Sequence, residues 1–347
     1  MEPPADKYYL AALIHTLGRS RAAELLAAGA SPREACAAIP QAQESPERLA
    51  ALCRDHGIAL LTPVDGDYPA LLRYIPDPPP LLYAWGQCSV LRRPAVAIVG
   101  ARRCSRGGAE VAAALAHALA AHGVSVVSGL ARGIDSAAHR GALSAGVTVA
   151  VIGSGLLRPY PAGNRALVRS IVDAGGLLLS EYPPLAGARP YHFPERNRLI
   201  SGLALGVVVV EAGERSGSLI TARMALEQGR EVCAVPGAVA NPASRGCHRL
   251  LRDGAVLVEC ADHILEAVGL TEFANTRPAP AEAGQSMPAD ADLVRLLEAV
   301  SAEVSSLDEL VAATGMDGRA AAAALVELEL SGFVRQVPGG YIRRPRL

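Results

Sequence analysis

The run Val207-Val208-Val209-Val210, followed at once by Glu211-Ala212-Gly213-Glu214-Arg215-Ser216-Gly217-Ser218, decides the fold class. Four consecutive β-branched residues offer no polar face to water. The strand they form must therefore be covered on both sides, as strands of a parallel sheet flanked by helices are. The Ser-Gly-Ser turn then opens a helix, and ligands of open α/β sheets collect outside the carboxyl ends of the strands. Unpaired amides at a helix start attract anions, which places phosphates near Ser216, Gly217 and Ser218. Just upstream, His192-Phe193-Pro194-Glu195-Arg196-Asn197-Arg198-Leu199-Ile200-Ser201-Gly202 sets one aromatic, two arginines and an asparagine beside the same strand. This is the layout of an anion site next to a stacking platform.

Outward from this strand the rhythm repeats. Apolar strands are predicted at 95–99, 124–128, 147–152, 176–180, 206–211, 231–235 and 255–258. Helices are predicted between them at about 108–122, 134–145, 163–174, 197–204, 217–229, 244–253 and 261–268. The alternation predicts a Rossmann-like, doubly wound, mainly parallel sheet over 94–270. Residues 58–93, with Asp67-Tyr68-Pro69 and Pro76 to Pro80, read as short strands and proline turns that join or extend this core. Residues 1–57 read as a small helical domain. Ser31-Pro32-Arg33-Glu34 there combines an N-cap, a first-turn proline and a capping-box glutamate. This part resembles SAM-like or helix-hairpin-helix modules, and a plain packing or partner role is preferred for it. The proline- and alanine-rich 271–289 reads as a linker. Over 290–347, three helices and a glycine-turn hairpin make a winged helix. Its third helix, from Arg319 to Glu329, is mostly alanine and short of base-reading side chains, which favours a partner or regulatory role over duplex recognition.

Composition narrows the chemistry. In 347 residues the formal net charge is −1, so no globally basic surface selects a nucleic acid; any such site must be local. Lys7 is the lone lysine among 33 basic residues, so neither a Walker P-loop nor a Schiff-base lysine can be built in the main domain. Seven cysteines, an odd number with no C-x-x-C pair, disfavour a disulfide framework and a zinc site, so no metal is expected. With no signal-like start and no apolar run of membrane-spanning length, a soluble cytoplasmic protein is expected.

The loops after the strands carry the candidate contacts. The first, Gly100 to Gly108, holds Arg102, Arg103 and Arg106 and no acid, which points to phosphate contacts. It is not G-x-G-x-x-G, and the second strand ends in Ser128-Gly129 without a ribose-binding acid, so no nicotinamide cofactor is expected. The second loop runs from Ser128 through Arg132 to Asp135. Asp135 and His139 share a helix face, where a tie between helix end and loop is preferred to an acid/base pair. A third loop holds Tyr160-Pro161 and Asn164. No serine lies in G-x-S-x-G. Aromatics are 4% of the chain, and Phe193 is the one phenylalanine among the basic loops, close to Tyr191, Arg189, Arg196 and Arg198. Stacking a base on such a ring contributes roughly 1–3 kcal/mol without sequence choice. The competing reading packs Phe193 under the sheet.

Taken in order, Gly100-Ala101-Arg102-Arg103, Ser128 to Asp135 with His139, Tyr160-Pro161 with Asn164, Ser180-Glu181-Tyr182-Pro183, Phe193 to Leu203, Val210-Glu211-Ala212, Ser216 to Ala222, Pro236-Gly237 and Gly246 to Leu251 with Gly254-Ala255 resemble the DNA-processing protein A (DprA/Smf) family over about 58–268. The resemblance implies a non-enzymatic protein of natural transformation. It would bind and protect incoming single-stranded DNA and help load RecA in the presence of single-strand-binding protein. Arg102 and Ser128-Gly129 would hold phosphates, Phe193 would stack a base, Asn197 and Arg198 would shape the pocket, and Ser216 to Ser218 would offer amides. It also implies a homodimer through Gly246 to Leu257, with Cys247, His248, Leu250, Leu251 and Leu257 as the interface. Ala101, Gly107 and Pro190 depart from the family pattern at the first loop and before the Phe-Pro motif. Two other readings compete: a nucleoside-monophosphate phosphoribohydrolase-like enzyme, whose P-G-G-x-G-T-x-x-E turn is missing around Glu211, and a winged-helix transcription regulator.

Overall fold

The computed structural model describes residues 5–27, 29, 31–39, 45–272, 290–301, 305–331, 333–337 and 340–343. The chain divides into two compact units, Met1–Thr276 and Arg277–Leu347. The strands of the first are β1 (Ile58–Leu61), β2 (Leu82–Gly86), β3 (Ala95–Val99), β4 (Ser125–Ser128), β5 (Thr148–Val151), β6 (Leu177–Ser180), β7 (Gly206–Val209), β8 (Glu231–Ala234) and β9 (Val256–Leu257). They form one sheet in the order β1-β2-β6-β5-β4-β3-β7-β8-β9. From β6 to β9 every pairing is parallel, as the unbroken apolar runs require. The two strands of the 58–93 stretch add to one edge: β2 lies antiparallel to β6, with Tyr83 opposite Ser180, and β1 antiparallel to β2.

Successive strand residues face opposite sides. Ala97, Val99, Val207 and Val209 pack on one side with Leu199 and Leu203 of α8 (His192–Leu203) and Ala222 of α9 (Ser218–Glu227). Val96, Ile98, Val126 and Val208 pack on the other with Leu115 and Leu119 of α5 (Arg106–Ala121) and Ala138 of α6 (Ile134–Leu143). The amino-terminal helices α1 (Asp6–Leu17), α2 (Arg19–Ala27), α3 (Pro32–Ala37) and α4 (Pro46–Asp55) belong to the same unit. Ala11, Leu49 and Cys53 share a core with Tyr83, Ile152 and Leu178 of the sheet. The capping box at Ser31 and Glu34 is present. The first unit is completed by α7 (Arg165–Asp173), α10 (Arg245–Arg252) and α11 (Ala261–Ala267).

Each of the seven alternating strands lies inside its predicted range. One helix departs in a way that matters: α8 starts at His192, five residues before the expected 197. Pro194 stands in its first turn, where no intrahelical amide is needed. The second unit has its own core, built from Leu293, Leu296, Leu297, Leu310, Leu325, Leu328 and Phe333. Its helices are Ala291–Ala299, Leu307–Thr314 and Gly318–Leu330, and Val334–Val337 pairs antiparallel with Gly340–Arg343. Among the described residues no helix is long and apolar enough to cross a membrane.

Candidate nucleic-acid interface

Strand β3 pairs with β4 on one side and β7 on the other, so the chain order reverses at β3 and the loops beyond β3 and β7 splay apart. A cavity of about 770 Å³ opens there. Its walls are Gly100 to Arg103 after β3, Ala131 and Asp135, the turn from Arg215 to Ser218 after β7, and Phe193, Arg196, Asn197 and Ile200 of α8. The last four are spaced i, i+3, i+4 and i+7, one face of a helix, and only the early start of α8 brings Phe193 onto it.

The loops brace one another through their backbones. Ala101 N donates to Glu211 O at 2.6 Å and Ile134 N donates to Ala101 O at 3.2 Å. Gly133 has φ +76°, and a Cβ there would stand 2.2 Å from Ala101 O, so glycine is required on both counts. Glu211 is buried beneath the first loop, its Oε2 accepting from Ser105 N at 2.8 Å, while its Oε1 has no partner among the described residues.

Phe193 is half-buried, not core as the competing reading had it. The exposed Arg102 holds its guanidinium over the ring at 5.4 Å, and the Tyr160 ring lies 5.6 Å away, inclined at 54°. Arg196 is buried, and its Nη1 donates to Gly129 O at 2.6 Å and also to Val151 O. A Cβ at Gly129 would meet that guanidinium at 2.7 Å, so this glycine clears its path. Burial pulls the Arg196 pKa down to about 10, against the opposing pull of Asp135. Burial in turn raises the Asp135 carboxyl. Arg103 and Arg132 are exposed at the same loops, and Ser216 Oγ lies 2.7 Å from Ser218 Oγ at the start of α9.

Several predicted contacts lie elsewhere. Ser128 is fully buried and its hydroxyl donates to Ile98 O at 2.6 Å, so its side chain is not available to a phosphate. Asn164 is buried too; its Nδ2 donates to Leu130 O at 2.8 Å and Ser136 Oγ at 2.9 Å. It holds Leu130 at φ +60°, a backbone state a leucine seldom adopts unaided, so Asn164 positions the second loop. Arg198 points to the opposite side of α8 from the cavity. It donates to Glu181 Oε1 at 2.7 Å and Asp77 Oδ2 at 3.0 Å, and Arg19 joins Glu181 at 2.9 Å. Arg189 is exposed and donates to Tyr191 Oη at 2.8 Å, outside the cavity wall. Asp135 and His139 do not pair: Asp135 accepts from Ala131 N at 3.2 Å, the expected tie, and His139 Nδ1 lies 2.7 Å from Thr148 Oγ1.

Of the predicted interface residues, Cys247 is fully buried with its thiol 3.5 Å from Val209 O, so it cannot face a partner. His248, Leu250 and Leu251 are half-buried, whereas Leu257 is exposed beside Val256 on β9. Tyr160 and Arg215 belong to the site although the sequence pattern assigns neither a contact. The scarcity of aromatics was the available signal for Tyr160.

Fold and cavity define a Rossmann-type protein with a separate winged-helix unit. Residues 59–269 match the family model of DNA recombination-mediator protein A, and residues 277–340 that of the DprA winged helix domain. The chain belongs to the DNA recombination-mediator protein A family. It is 42% identical to Protein Smf of Escherichia coli (strain K12) over 292 residues, 82% of this chain and 78% of that protein. It is 46% identical to DNA processing protein DprA of Streptococcus pneumoniae (strain ATCC BAA-255 / R6) over 203 residues, 58% of this chain and 71% of that one. The X-ray structure of the Streptococcus pneumoniae protein superposes with a TM-score of 0.60 at 36% identity, over 76% of this chain and 93% of that chain. A structure of DNA processing protein A from Helicobacter pylori, concerned with its single-stranded DNA binding mode, superposes with a TM-score of 0.55 at 30% identity, over 60% of this chain and 94% of that chain.

Proposed function

We propose that the protein holds single-stranded DNA in the cavity at the β3–β7 reversal, protects incoming strands during natural transformation, and passes them to RecA in the presence of single-strand-binding protein. The observation that carries this reading is Phe193, half-exposed at the cavity wall with the Arg102 guanidinium over its ring. Base stacking on an aromatic with arginines along the backbone is how a strand is held without reading its sequence. The action is binding rather than catalysis. Asp135, the acidic residue in the cavity wall, is buried and engaged by a backbone amide, and Glu211 braces the first loop. Pairing of two copies through the edge around Leu257 would set two cavities in one assembly.

Fluorescence anisotropy of a labelled oligothymidine at stepped salt tests the reading. The native chain is expected to prefer single strand to duplex, Arg102→Ala to lower the salt slope by about 1, and Phe193→Ala to weaken binding at every salt. Preference for duplex, or indifference to both substitutions, overturns it. Release of free base from a nucleoside monophosphate, abolished by Glu211→Gln, would establish the enzyme instead.

A further inference from the structure

Phe193, Arg102 and Arg196 wall two cavities at once: the one of about 770 Å³ described above, and a second of about 240 Å³ bounded on its far side by Arg132, Tyr160 and Pro161. Pockets that enclose a whole ligand run to about 300–1,000 Å³. The larger cavity falls in that range and the smaller below it, so the smaller suits one flat group of a ligand whose remainder lies next door. Its aromatic walls are Phe193 and Tyr160, with ring centroids 5.6 Å apart. A plane inserted between two rings needs about 7 Å, twice a carbon contact distance, so the rings do not sandwich a base and each offers the face that lines its cavity. Tyr160 is 51% exposed, a ring surface that core packing does not use. Its loop is tied to the one bearing Arg132, because Asn164 reaches from the short turn Ala162–Asn164 to Leu130 O.

We infer that the smaller cavity is a second base subsite, where Tyr160 stacks the nucleobase adjoining the one on Phe193 and Arg132 meets the phosphate that joins them. This rests on the reading of the larger cavity as a single-stranded DNA site. Two stacking faces inclined at 54° fit a strand that bends as it leaves the larger cavity, its next base turned relative to the first.

The test is anisotropy with labelled oligothymidine and with a base-free deoxyribose phosphate chain of the same length, using the native protein and the variants Tyr160→Ala, Tyr160→Phe, Arg132→Ala and Phe193→Ala. Tyr160→Ala is expected to bind oligothymidine about fivefold or more weakly at every salt, and Tyr160→Phe to match the native protein. Arg132→Ala should flatten the salt dependence. The native protein and Tyr160→Ala should bind the base-free chain alike. If Tyr160→Ala stays within about twofold of native while Phe193→Ala is weak, the second subsite is overturned and the first stands. Equal losses in Tyr160→Ala and Tyr160→Phe would overturn the stacking role. A native chain that does not hold oligothymidine at all removes the reading of the larger cavity, and this inference with it.

Discussion

Arg196 and Arg198 are two positions apart on α8 and face different surroundings, so their loss should be felt in different measurements. Arg198 shares the buried Glu181 carboxylate with Arg19, and its other partner, Asp77, is 61% exposed and adds little. Breaking a buried pair costs about 3–5 kcal/mol. Because Arg19 still reaches Glu181, Arg198→Ala is expected at the low end, about 3 kcal/mol, read as a lowered urea midpoint. The salt slope for DNA should not change, since its guanidinium lies away from the cavity. His139 gives a second prediction. Burial pulls its pKa down to about 3, so the folded protein keeps it neutral while the unfolded chain takes up a proton below about pH 6.5. With the folded value depressed, stability is complete above pH 6.5 and drains as pH falls toward 3, by about 2 kcal/mol at pH 5. Urea midpoints at pH 7 and pH 5 should show that loss in the native chain and less of it in His139→Gln. Neither role was legible in the sequence. Partners of Arg198 lie 121 residues away at Asp77 and 17 away at Glu181, and local spacing carries no trace of them.

Elements were more legible than side chains, for a physical reason. Strands buried on both faces must be apolar throughout, so β3 and β7 announce themselves, and caps such as Ser31 with Glu34 are short-range chemistry. The start of α8 was not announced, because a proline in a first turn reads equally well as a loop. That ambiguity decides whether Phe193 and Ile200 share a face. Strand β9 is the other informative element. Residues of β3 to β7 are buried throughout, while Val256 and Leu257 of this two-residue edge strand are 37% and 48% exposed. Leu226, 61% exposed, lines a hollow with Leu250 and with Ala255, the residue before Val256. An open apolar edge is a surface that proteins either blunt or pair. The proposed dimer pairs it. Leu257→Arg should then sediment as a monomer at concentrations where the native chain is a dimer, with an unchanged urea midpoint for the monomer fold. A native chain that is monomeric at every concentration would remove the dimer.

At the scale of the whole molecule, the two units have separate interiors. The buried clusters on the sheet end within Met1–Thr276, and Leu293, Leu297, Leu325 and Phe333 form a cluster of their own in Arg277–Leu347. The amino-terminal helices have a small cluster of their own, Ala12, Leu13, Ala22, Ala35 and Cys36, yet Ala11, Leu49 and Cys53 bury themselves against Tyr83 and Leu178 and tie them to the sheet. Cutting the chain after Thr276 should therefore leave a cooperatively folding protein, whereas cutting before Ile58 would strip Ile58, Leu60 and Tyr83 of their cover and expose apolar surface. Every residue of the larger cavity lies in the first unit. The fragment ending at Thr276 is accordingly expected to bind oligothymidine within about threefold of the full chain and with the same salt slope, since no phosphate contact has been removed. A slope reduced by several units would mean that the winged helix contributes cations to the strand. Unchanged binding together with loss of the proposed delivery to RecA would assign that unit to the partner rather than to the DNA.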